Sequence, residues 1–597
     1  MDRSCLASLE KSLSTRTRLV IGILIVSAAL IRVVYFLQIN PGPCVLQHNR
    51  TQTDMNYFHL WASDIASGDL LSSKMPHAHH MWHTDFAELY FSAQPDPIQE
   101  RARFQTSAKT PDPARALWDY WYGPMVFHQE PLYPYLIAMT YKIFGEDVRW
   151  VFFWQMIIGI LSVLLVFKIA LRHFGATVAT LAASLAIFCG PSLYYEMILL
   201  RPTLITFFGL LLVELTDRSL EKETGRRWFW TGLVCGLAIL LKTMFTLFLL
   251  GVLVFIIWDH RTSVKRLLLF TGALTLGVVI SLSPAILRNM VLGVSPLSLS
   301  SVGAVTFINS NADDYSPEPG FSISRHATTI MGKSKGDFLP AAIMTLSTHS
   351  GPLSYLKLLL RKADMLLYWY EIPNNTNYYY YRLHAPILNF TFTFLILGPL
   401  SLLGLVFVFP DWKKQWPILL ILVSNAAVMI GFYVLSRFRV SMMVALLPLA
   451  AFGAVRIACW LERREVKKTI LSILALIVIS FWTARPLPDN VTFIRAEDYW
   501  SAYSAFYIPK MQHFAQQNDW QKVVSLLKDS LRFEPPEVRR LDSYHRAEKP
   551  EQRELARLYG IIHKSYAEAL LNQGLADLAN QELQRGHELT QAAGDEI

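Results

Sequence analysis

The sequence has little charge for its length, since only 17% of its 597 residues are Asp, Glu, Lys or Arg while 53% are hydrophobic. A soluble protein of this length needs far more polar surface, so the composition excludes a soluble globular class. The five cysteines show no paired spacing, which argues against a disulfide framework or a zinc site. No nucleic-acid motif is present, and we attribute the net charge of +9 to basic loops beside a membrane.

Long apolar runs are the main feature of the chain. Many are about 18–25 residues long, which is enough to cross about 30 Å of hydrocarbon. Because these runs are continuously apolar and do not alternate, they predict helices and exclude a β-barrel. The sequence therefore predicts an all-α, polytopic membrane protein. We expect about eleven spans, near residues 18–38, 149–172, 176–197, 202–217, 228–241, 243–258, 266–287, 386–409, 416–434, 440–459 and 469–485.

The distribution of basic residues predicts the orientation of these spans. With the N-terminus inside, five short cytoplasmic connections are all basic, including DRSLEKETGRR and LERREVKK. Two long loops, about 39–148 and 288–385, then lie outside, together with the C-terminal region. One alternative stays open: the two short spans around Lys242 could be a single long helix, which would invert everything after it.

The chain is predicted to divide into a membrane domain, 1–485, and a polar helical domain, 486–597. The segment SYAEALLNQGLADLANQELQRGHELTQ has small residues and leucines at helical spacing, with Gly574 between two helices. It resembles a tetratricopeptide repeat, and WQKVVSLLKDSLRFEPP resembles a partial earlier unit. The alternative is a small capping bundle of helices.

Three carboxylates lie at the predicted outer boundary of the membrane. Asp54 follows the first span, Glu130 lies in FHQEPLYPY, and Glu196 lies at the outer end of a span in GPSLYYEMILLRP. A carboxylate at this depth is costly unless it faces water, a cation or a partner. We therefore predict that these three residues are catalytic, with an interfacial anchor or a salt bridge as the alternative at each position.

Several cations on the outer side are not explained by the charge rule. Arg437 and Arg439 interrupt the apolar stretch GFYVLSRFRVSMMVALLPLAA, while Arg201 and Lys242 lie at the ends of other spans. Arginine offers a planar fork that suits phosphate, and a lipid-linked phosphate would lie at this depth. We predict that these four residues bind the substrate. The alternative is that they reach the headgroups of anionic lipids.

Aromatic segments of the outer loops supply further candidates. In YWYEIPNNTNYYYYR, aromatic rings surround Glu371 and Asn375, a combination that suits a sugar face and its hydroxyls, although an interfacial aromatic belt would look similar. Tyr133, in PLYPYLIAMTYKIFG, is a further candidate for substrate binding. In MPHAHHMWH, His79 and His83 have a spacing that could hold a metal ion, with an irregular polar loop as the default interpretation.

Several spaced motifs together resemble a known group. TDMNYFHLWASDIASGD after the first span, then HQEPLYPYLIAMTYKIFG, GAVTFINSNADDYSPEPG, RKADMLLYWYEIPNNTNYYYYR and SRFRVSMMVALLP are similar to motifs of the GT-C glycosyltransferases. Within that fold they resemble the family 39-like membrane enzymes, which include the protein O-mannosyltransferases and the aminoarabinose transferase of lipid A. The resemblance covers about residues 40–460.

The resemblance implies a GT-C-like fold and a mechanism. A polyprenyl-phosphate sugar is the donor, an acid in the first outer loop is the base, and transfer to a lipid, glycan or protein acceptor proceeds with inversion. Asp54 occupies the position of that base. A second acidic role falls on Glu130 or Glu196, because the family's usual second acid has no direct match here. Some relatives carry a divalent metal, which stays open for this chain.

The function predicted from sequence is therefore glycosyl transfer on the outer face of a membrane, as in a bacterial inner membrane. The alternative function is a transporter or flippase of lipid-linked sugars. That class should show internal repeats and polar groups near the middle of the membrane, whereas the polar groups here cluster at one face.

Overall fold

A computed structural model describes residues 17–74, 77, 80–107, 112–316, 323–487, 493–542 and 545–594. Every element of two or more residues within these ranges is helical, and Cys189 and Phe392 form an isolated β-bridge. The predicted all-α class is confirmed.

Six stretches are long and apolar enough to cross a membrane, which supports an integral membrane protein. They are Arg18–Ile39, Val148–Phe174, Val264–Val291, Phe394–Gly431, Ser436–Glu462 and Val466–Thr483. The helices Ala176–Ile187 and Phe245–Asp259 are apolar but shorter. The predicted count of eleven spans is not confirmed, because apolar length alone does not reveal where a helix breaks.

Two of the apolar runs illustrate such breaks. The predicted span 176–197 is two helices, Ala176–Ile187 and Gly190–Glu196, because Pro191 favours the start of a new helix. The chain also breaks after Gly225–Leu241, where Lys242 is extended, and resumes as Phe245–Asp259. The region around Lys242 is thus two helices and not one.

The helix Ser436–Glu462 is the most buried of the six membrane-length stretches. It packs against Ala176–Ile187, Pro202–Glu221, Phe394–Val408 and Trp412–Gly431. Apolar and small residues line most of its length, so it can be surrounded by other helices without exposing polar groups to them. Its first turn carries Arg437 and Arg439 and lies at the end of this apolar packing.

The two predicted outer loops are largely helical. Their helices are Pro43–Asn49, Asp54–Ala66, Met81–Ser92, Pro97–Ser107, Pro113–Tyr122, Leu132–Phe144, Gly303–Asn311, Ala327–Ser334, Phe338–Leu346, Pro352–Leu366 and Tyr378–His384. Aromatic residues of the first loop, including Phe86, Trp118 and Trp121, share one buried core with Ile308 and Met331 of the second. The two loops therefore lie on the same side of the membrane-length helices.

The chain divides into two compact units. The first is drawn from Met1–Val33, Gln52–Asn375 and Phe390–Pro488, and the second from Val34–Thr51, Thr376–Asn389 and Asp489–Ile597. The second unit thus includes two segments that the sequence analysis assigned to the membrane domain. The predicted boundary at 485/486 stays a prediction.

Helices of the C-terminal region of the second unit are Ala496–Ala502, Ile508–Gln516, Trp520–Leu531, Pro536–Arg539, Pro550–Asn572 and Ala576–Ala592. The last two pack along each other and are joined at Gly574, whose φ of +78° is a left-handed conformation that suits glycine. This helical pair has the arrangement that a tetratricopeptide unit requires, although the repeat assignment itself stays a prediction.

Close helix packing in the first unit depends on small residues. Gly232 of the helix Gly225–Leu241 faces the backbone of Val264–Val291, where a Cβ would overlap the carbonyl oxygen of Leu274. Gly236, one turn later, meets the same helix. Small residues four apart let helix backbones approach closely in membranes, where van der Waals packing is the main attraction between helices.

We predict that Gly232→Ala destabilises the protein by about 1–3 kcal/mol, because the added methyl group must push the two helices apart. Gly272→Ala on the partner helix is the matched control, since a Cβ there meets no atom within 4 Å. Thermal unfolding in detergent should show a lower midpoint for Gly232→Ala alone. Equal midpoints for the two variants would contradict the close packing.

Candidate active site

Asp54 lies at the start of the helix Asp54–Ala66, which Thr53 caps with its side chain. A carboxylate in the first turn of a helix is favourable because it faces the positive end of the helix dipole. Its Oδ1 accepts a hydrogen bond from Gln129 Nε2 at 2.7 Å, and its Oδ2 accepts one from Asn375 Nδ2 at 2.8 Å. Two amides from distant parts of the chain therefore fix the orientation of the carboxylate.

Arg437 contacts Asp54 from the first turn of the helix Ser436–Glu462. Its Nη1 donates to Asp54 Oδ2 in a close ion pair, and its guanidinium lies 4.8 Å from the ring centroid of Phe438. Each side chain of the pair is 19% exposed, so a ligand can reach both. A cation in the first turn opposes the helix dipole, so its position indicates a role in holding an anion.

Gln129 connects Asp54 to a second cation. While its amide nitrogen donates to Asp54, its Oε1 accepts a hydrogen bond from Arg201 Nη2 at 2.5 Å. Arg201 immediately precedes the helix Pro202–Glu221, and its guanidinium lies 5.2 Å from the ring centroid of Phe58. The position of Arg201 is thus fixed by a polar contact on one side and an aromatic face on the other.

Glu130 is buried and both of its oxygens are occupied. Oε2 accepts a hydrogen bond from Arg201 Nη1 at 2.5 Å, and Oε1 accepts the N–H and the hydroxyl of Thr243, each at 2.9 Å. Lys242 Nζ lies 3.5 Å from the same Oε1. A break between helices leaves N–H groups without intrahelical partners, and Glu130 satisfies one of them. The geometry supports an orienting role for Glu130.

The pKa values of these two carboxyl groups are both lowered. Burial raises the pKa of Asp54, but the charge of Arg437 and the hydrogen bonds from Arg437 and Asn375 outweigh it and hold that pKa well below its usual range. Burial likewise raises the pKa of Glu130, but the charges of Lys242 and Arg201 and the hydrogen bond from the Thr243 N–H outweigh it and lower that pKa. Both groups are therefore ionised at neutral pH, and Asp54 is a weak base while Arg437 contacts it.

Arg439 and Glu371 form a separate, buried pair. Arg439 Nη2 lies 3.0 Å from Glu371 Oε1 and donates to the Tyr370 carbonyl at 2.7 Å, and only 2% of its side chain is exposed. Glu371 Oε2 accepts a hydrogen bond from Ser436 at 2.7 Å. These contacts attach the segment that ends at Asn375 to the start of the helix carrying Arg437. The geometry thus supports a positioning role for both residues.

Glu196 and Tyr133 also lie among buried contacts. Both oxygens of Glu196 accept hydrogen bonds from Arg32, each at 2.7 Å, so the salt bridge considered as the alternative at this residue is present. The Tyr133 hydroxyl donates to Gln155 at 3.0 Å, and Gln155 donates to the backbone carbonyl of Glu196 at 2.9 Å. Within the described ranges, no hydrogen bond or ion pair connects Glu196 or Tyr133 with Asp54.

The residues do not fit a metal ion at Asp54. Within the described ranges, only two groups bring three His, Cys, Asp or Glu ligand atoms together, and they consist of Glu223, Asp259 and His260 and of Asp313, Asp314 and His326. Asp54 instead contacts two amides and an arginine, and His80 is the one histidine whose charge acts on it among the described residues. Of the sequence candidates, His79 lies outside the described residues. Both ring nitrogens of His83 are engaged, by the His80 N–H at 2.8 Å and the Tyr122 hydroxyl at 3.0 Å.

Sequence analysis missed two residues of this network, Gln129 and Thr243. Each directly adjoins a residue that was selected, since Gln129 precedes Glu130 and Thr243 follows Lys242. The available signal was a polar side chain next to a charged one at the membrane boundary. That signal does not reveal that Gln129 bridges Asp54 and Arg201.

Residues 128–287 match the model of the family described as dolichyl-phosphate-mannose-protein mannosyltransferase. The matched segment contains five members of the network around Asp54, namely Gln129, Glu130, Arg201, Lys242 and Thr243. The match bears out, over this segment, the predicted resemblance to the membrane glycosyltransferases. No curated protein matches the chain.

Solved structures of two membrane enzymes are similar to parts of this chain. The oligosaccharyltransferase AglB of Archaeoglobus fulgidus has been solved with an inhibitory peptide and dolichol-phosphate. That structure is 14% identical, covers 73% of this chain and 57% of its own, and has a TM-score of 0.31. The enzyme of the same organism with Zn and sulfate is 12% identical, covers 74% of this chain and 55% of its own, and has a TM-score of 0.34. The other is ArnT of Cupriavidus metallidurans bound to undecaprenyl phosphate, which is 13% identical, covers 90% of this chain and 77% of its own, and has a TM-score of 0.32. The chain spans just over half the length of the Archaeoglobus enzyme, and overlap at this level does not extend to substrate or reaction.

We predict that Arg439→Gln destabilises the protein by about 3–5 kcal/mol, because it leaves the buried Glu371 carboxylate without its countercharge. The double variant Arg439→Gln/Glu371→Gln should recover part of this loss, since no buried charge then remains unpaired. Arg437→Gln is the comparison, because its partially exposed pair contributes less. Thermal unfolding in detergent measures all three, and an equal loss for Arg437→Gln and Arg439→Gln would contradict the distinction.

Proposed function

We propose that this protein transfers a glycosyl group from a polyprenyl-phosphate-linked donor to an acceptor hydroxyl on the outer face of the membrane, with inversion. The observation that carries the proposal is the accessible pair of Asp54 and Arg437, which sets a carboxylate beside an arginine that its own helix dipole disfavours. The match of residues 128–287 to a mannosyltransferase family supports the same reaction class.

The charges around Asp54 favour an anionic donor. Two carboxylates, Asp54 and Glu130, face three cations. The cations are Arg437, Arg201 and Lys242, so the group carries a net charge of +1. Arg201 is buried and held by Glu130 and Gln129, which leaves Arg437 and Lys242 as the cations for a phosphate. Both lie near the face of Phe438, at 4.8 and 5.8 Å from its ring centroid.

In this mechanism Asp54 takes the proton of the acceptor hydroxyl as the oxygen attacks the anomeric carbon of the sugar. A carboxylate within about 3 Å can do so as the new bond forms. The leaving group is already a phosphate, so it requires neutralisation of its charge and not a proton, which Arg437 and Lys242 supply. Gln129 and Asn375 hold the Asp54 carboxylate in one orientation during the step.

We also infer the location and the accessory part of the enzyme. The orientation predicted from the basic loops puts Asp54 outside the cytoplasm, as in a bacterial inner membrane with the C-terminal region in the periplasm. The helical pair Pro550–Asn572 and Ala576–Ala592 is proposed as a tetratricopeptide-like unit. The acceptor is a lipid, glycan or protein, and no step of the mechanism is assigned to a metal ion.

We expect Asp54→Asn to lower the rate of transfer by about 10²–10⁴-fold, because the amide keeps the shape of the carboxylate but cannot accept the proton. The assay is single-turnover transfer from a labelled polyprenyl-phosphate sugar in detergent or liposomes.

Asp64→Asn is the matched control for this change, since it removes a carboxylate from the other end of the same helix. It should transfer at the normal rate. Near-normal transfer by Asp54→Asn would refute the assignment of the base and make Glu130 the next candidate.

We expect Arg437→Ala and Lys242→Ala each to weaken the use of donor by about tenfold to a hundredfold, because each removes one charged contact to the phosphate. Arg437→Lys should restore activity only in part, since an ammonium lacks the planar fork of arginine. The measurement is the initial rate of transfer at limiting donor.

Arg325→Ala controls for the loss of a positive charge on the same face, because Arg325 is exposed and pairs with Asp313 in the second outer loop. Its rate should be unchanged. If Arg437→Ala uses limiting donor as well as the unaltered protein does, Arg437 binds lipid headgroups and not the donor.

A further inference from the structure

The resting contacts of Asp54 conflict with its proposed task. Its Oδ2 accepts from both Asn375 and Arg437, while its Oδ1 accepts from Gln129. Donors and a positive charge directed at a carboxylate stabilise its ionised form and weaken it as a base. For Asp54 to accept a proton efficiently, at least one of these interactions has to weaken when the substrates are bound.

The charges of the proposed reaction change in opposite directions at two places. The bond from the acceptor oxygen to the anomeric carbon forms, and the bond from that carbon to the phosphate oxygen breaks, with its electron pair going to the phosphate. The acceptor proton goes to Asp54, which becomes neutral. The phosphate changes from a diester with one negative charge to a monoester with up to two. One negative charge thus disappears at Asp54 while another appears on the phosphate.

Arg437 is the cation that can respond to both changes. Its Nη1 contacts Asp54, while its buried Nε has no hydrogen-bond partner among the described residues. A guanidinium has five N–H donors in a planar fork, so one edge can hold a carboxylate while another holds a phosphate. The partly exposed side chain is therefore not saturated by the protein.

The neighbouring arginines are fixed more firmly. Arg439 is buried against Glu371 and the carbonyl oxygens of Tyr368 and Tyr370. Arg201 is buried between Glu130 and Gln129 and also donates to a backbone carbonyl. To move, Arg439 would have to leave the buried Glu371 carboxylate without its countercharge, and Arg201 would have to break buried contacts with Glu130 and Gln129, which is costly. Arg437 alone among these three shares a partly exposed ion pair.

We propose that Arg437 is a shared counterion that passes from Asp54 to the leaving phosphate during transfer. The proposal rests on the proposed function. As the phosphate gains charge it attracts Arg437 more strongly, and as Arg437 leaves Asp54 the carboxylate becomes a stronger base. After transfer, loss of the proton restores the charge of Asp54, which competes again for Arg437 and favours release of the polyprenyl phosphate.

The central test measures binding of the product and not only catalysis. We expect Asp54→Asn to bind undecaprenyl phosphate about fivefold to fiftyfold more tightly than the unaltered protein, because Arg437 is no longer held by a carboxylate. Relief of the repulsion between the carboxylate and the phosphate also raises this affinity, so a double-mutant cycle is needed to isolate the contribution of Arg437. The measurement is an equilibrium titration of the purified full-length protein in detergent.

A double-mutant cycle separates the specific pair from general charge effects. In the Arg437→Gln background, Asp54→Asn should raise the affinity much less than it does when Arg437 is present. Asp364→Asn is the matched control, since it also removes a carboxylate paired with an arginine, Arg485, on the outer side of the same unit. Its affinity for undecaprenyl phosphate should be unchanged.

The outcomes distinguish this inference from the proposed function. If the unaltered protein binds no undecaprenyl phosphate, the proposed function fails. If it binds the lipid but Asp54→Asn binds no more tightly, or if the two changes are additive, the shared counterion is refuted while the base assignment stands. Asp54→Ser makes the same change of charge with a smaller side chain, and it replaces Asp54→Asn in the cycle if the amide variant does not fold.

Discussion

The pairing of carboxylates with arginines is the constraint on which the rest of this structure depends. Each candidate carboxylate of the site region pairs with an arginine from a distant part of the first unit: Asp54 with Arg437, Glu130 with Arg201, Glu196 with Arg32, and Glu371 with Arg439. Removing ions from water costs several kcal/mol each, so each pair forms only where the fold brings both partners together with good geometry. Three of the pairs are closed and buried, and only the pair of Asp54 and Arg437 is open to a ligand.

Breaks in helices position the polar groups of this site. The chain leaves helical geometry at Lys242 and resumes at Phe245, which frees the Thr243 N–H to bind Glu130. The helix Ser436–Glu462 begins where its first turn can present Arg437 to Asp54. In an unbroken helix the backbone N–H groups donate to carbonyl oxygens of the same helix and cannot bind a side chain. The site therefore requires these interruptions of otherwise apolar segments.

The sequence could predict which residues are polar at this face but not which of them pair. Composition and apolar runs predicted the all-α class, and charge in an apolar context selected Asp54, Glu130 and Arg437. Helical geometry could also have separated Arg437 from Arg439, because residues two apart do not share a helix face. The link through Gln129 joins residues 75 positions apart in the chain, and only tertiary packing brings them together. The number of spans could not be predicted, because the length of an apolar run does not show where a helix breaks.

The identity of the base follows from the same charge constraint. A neutral base such as histidine would become a cation on accepting the proton, beside Arg437 and Lys242, at the moment when the phosphate needs both. A carboxylate becomes neutral instead, so no new positive charge appears beside Arg437 and Lys242 during the step. Because like charges repel strongly in a poorly solvated site, a base that becomes neutral leaves both cations available to the phosphate. An aspartate held by an arginine is therefore better suited to transfer from a phosphate than its low resting basicity alone would indicate.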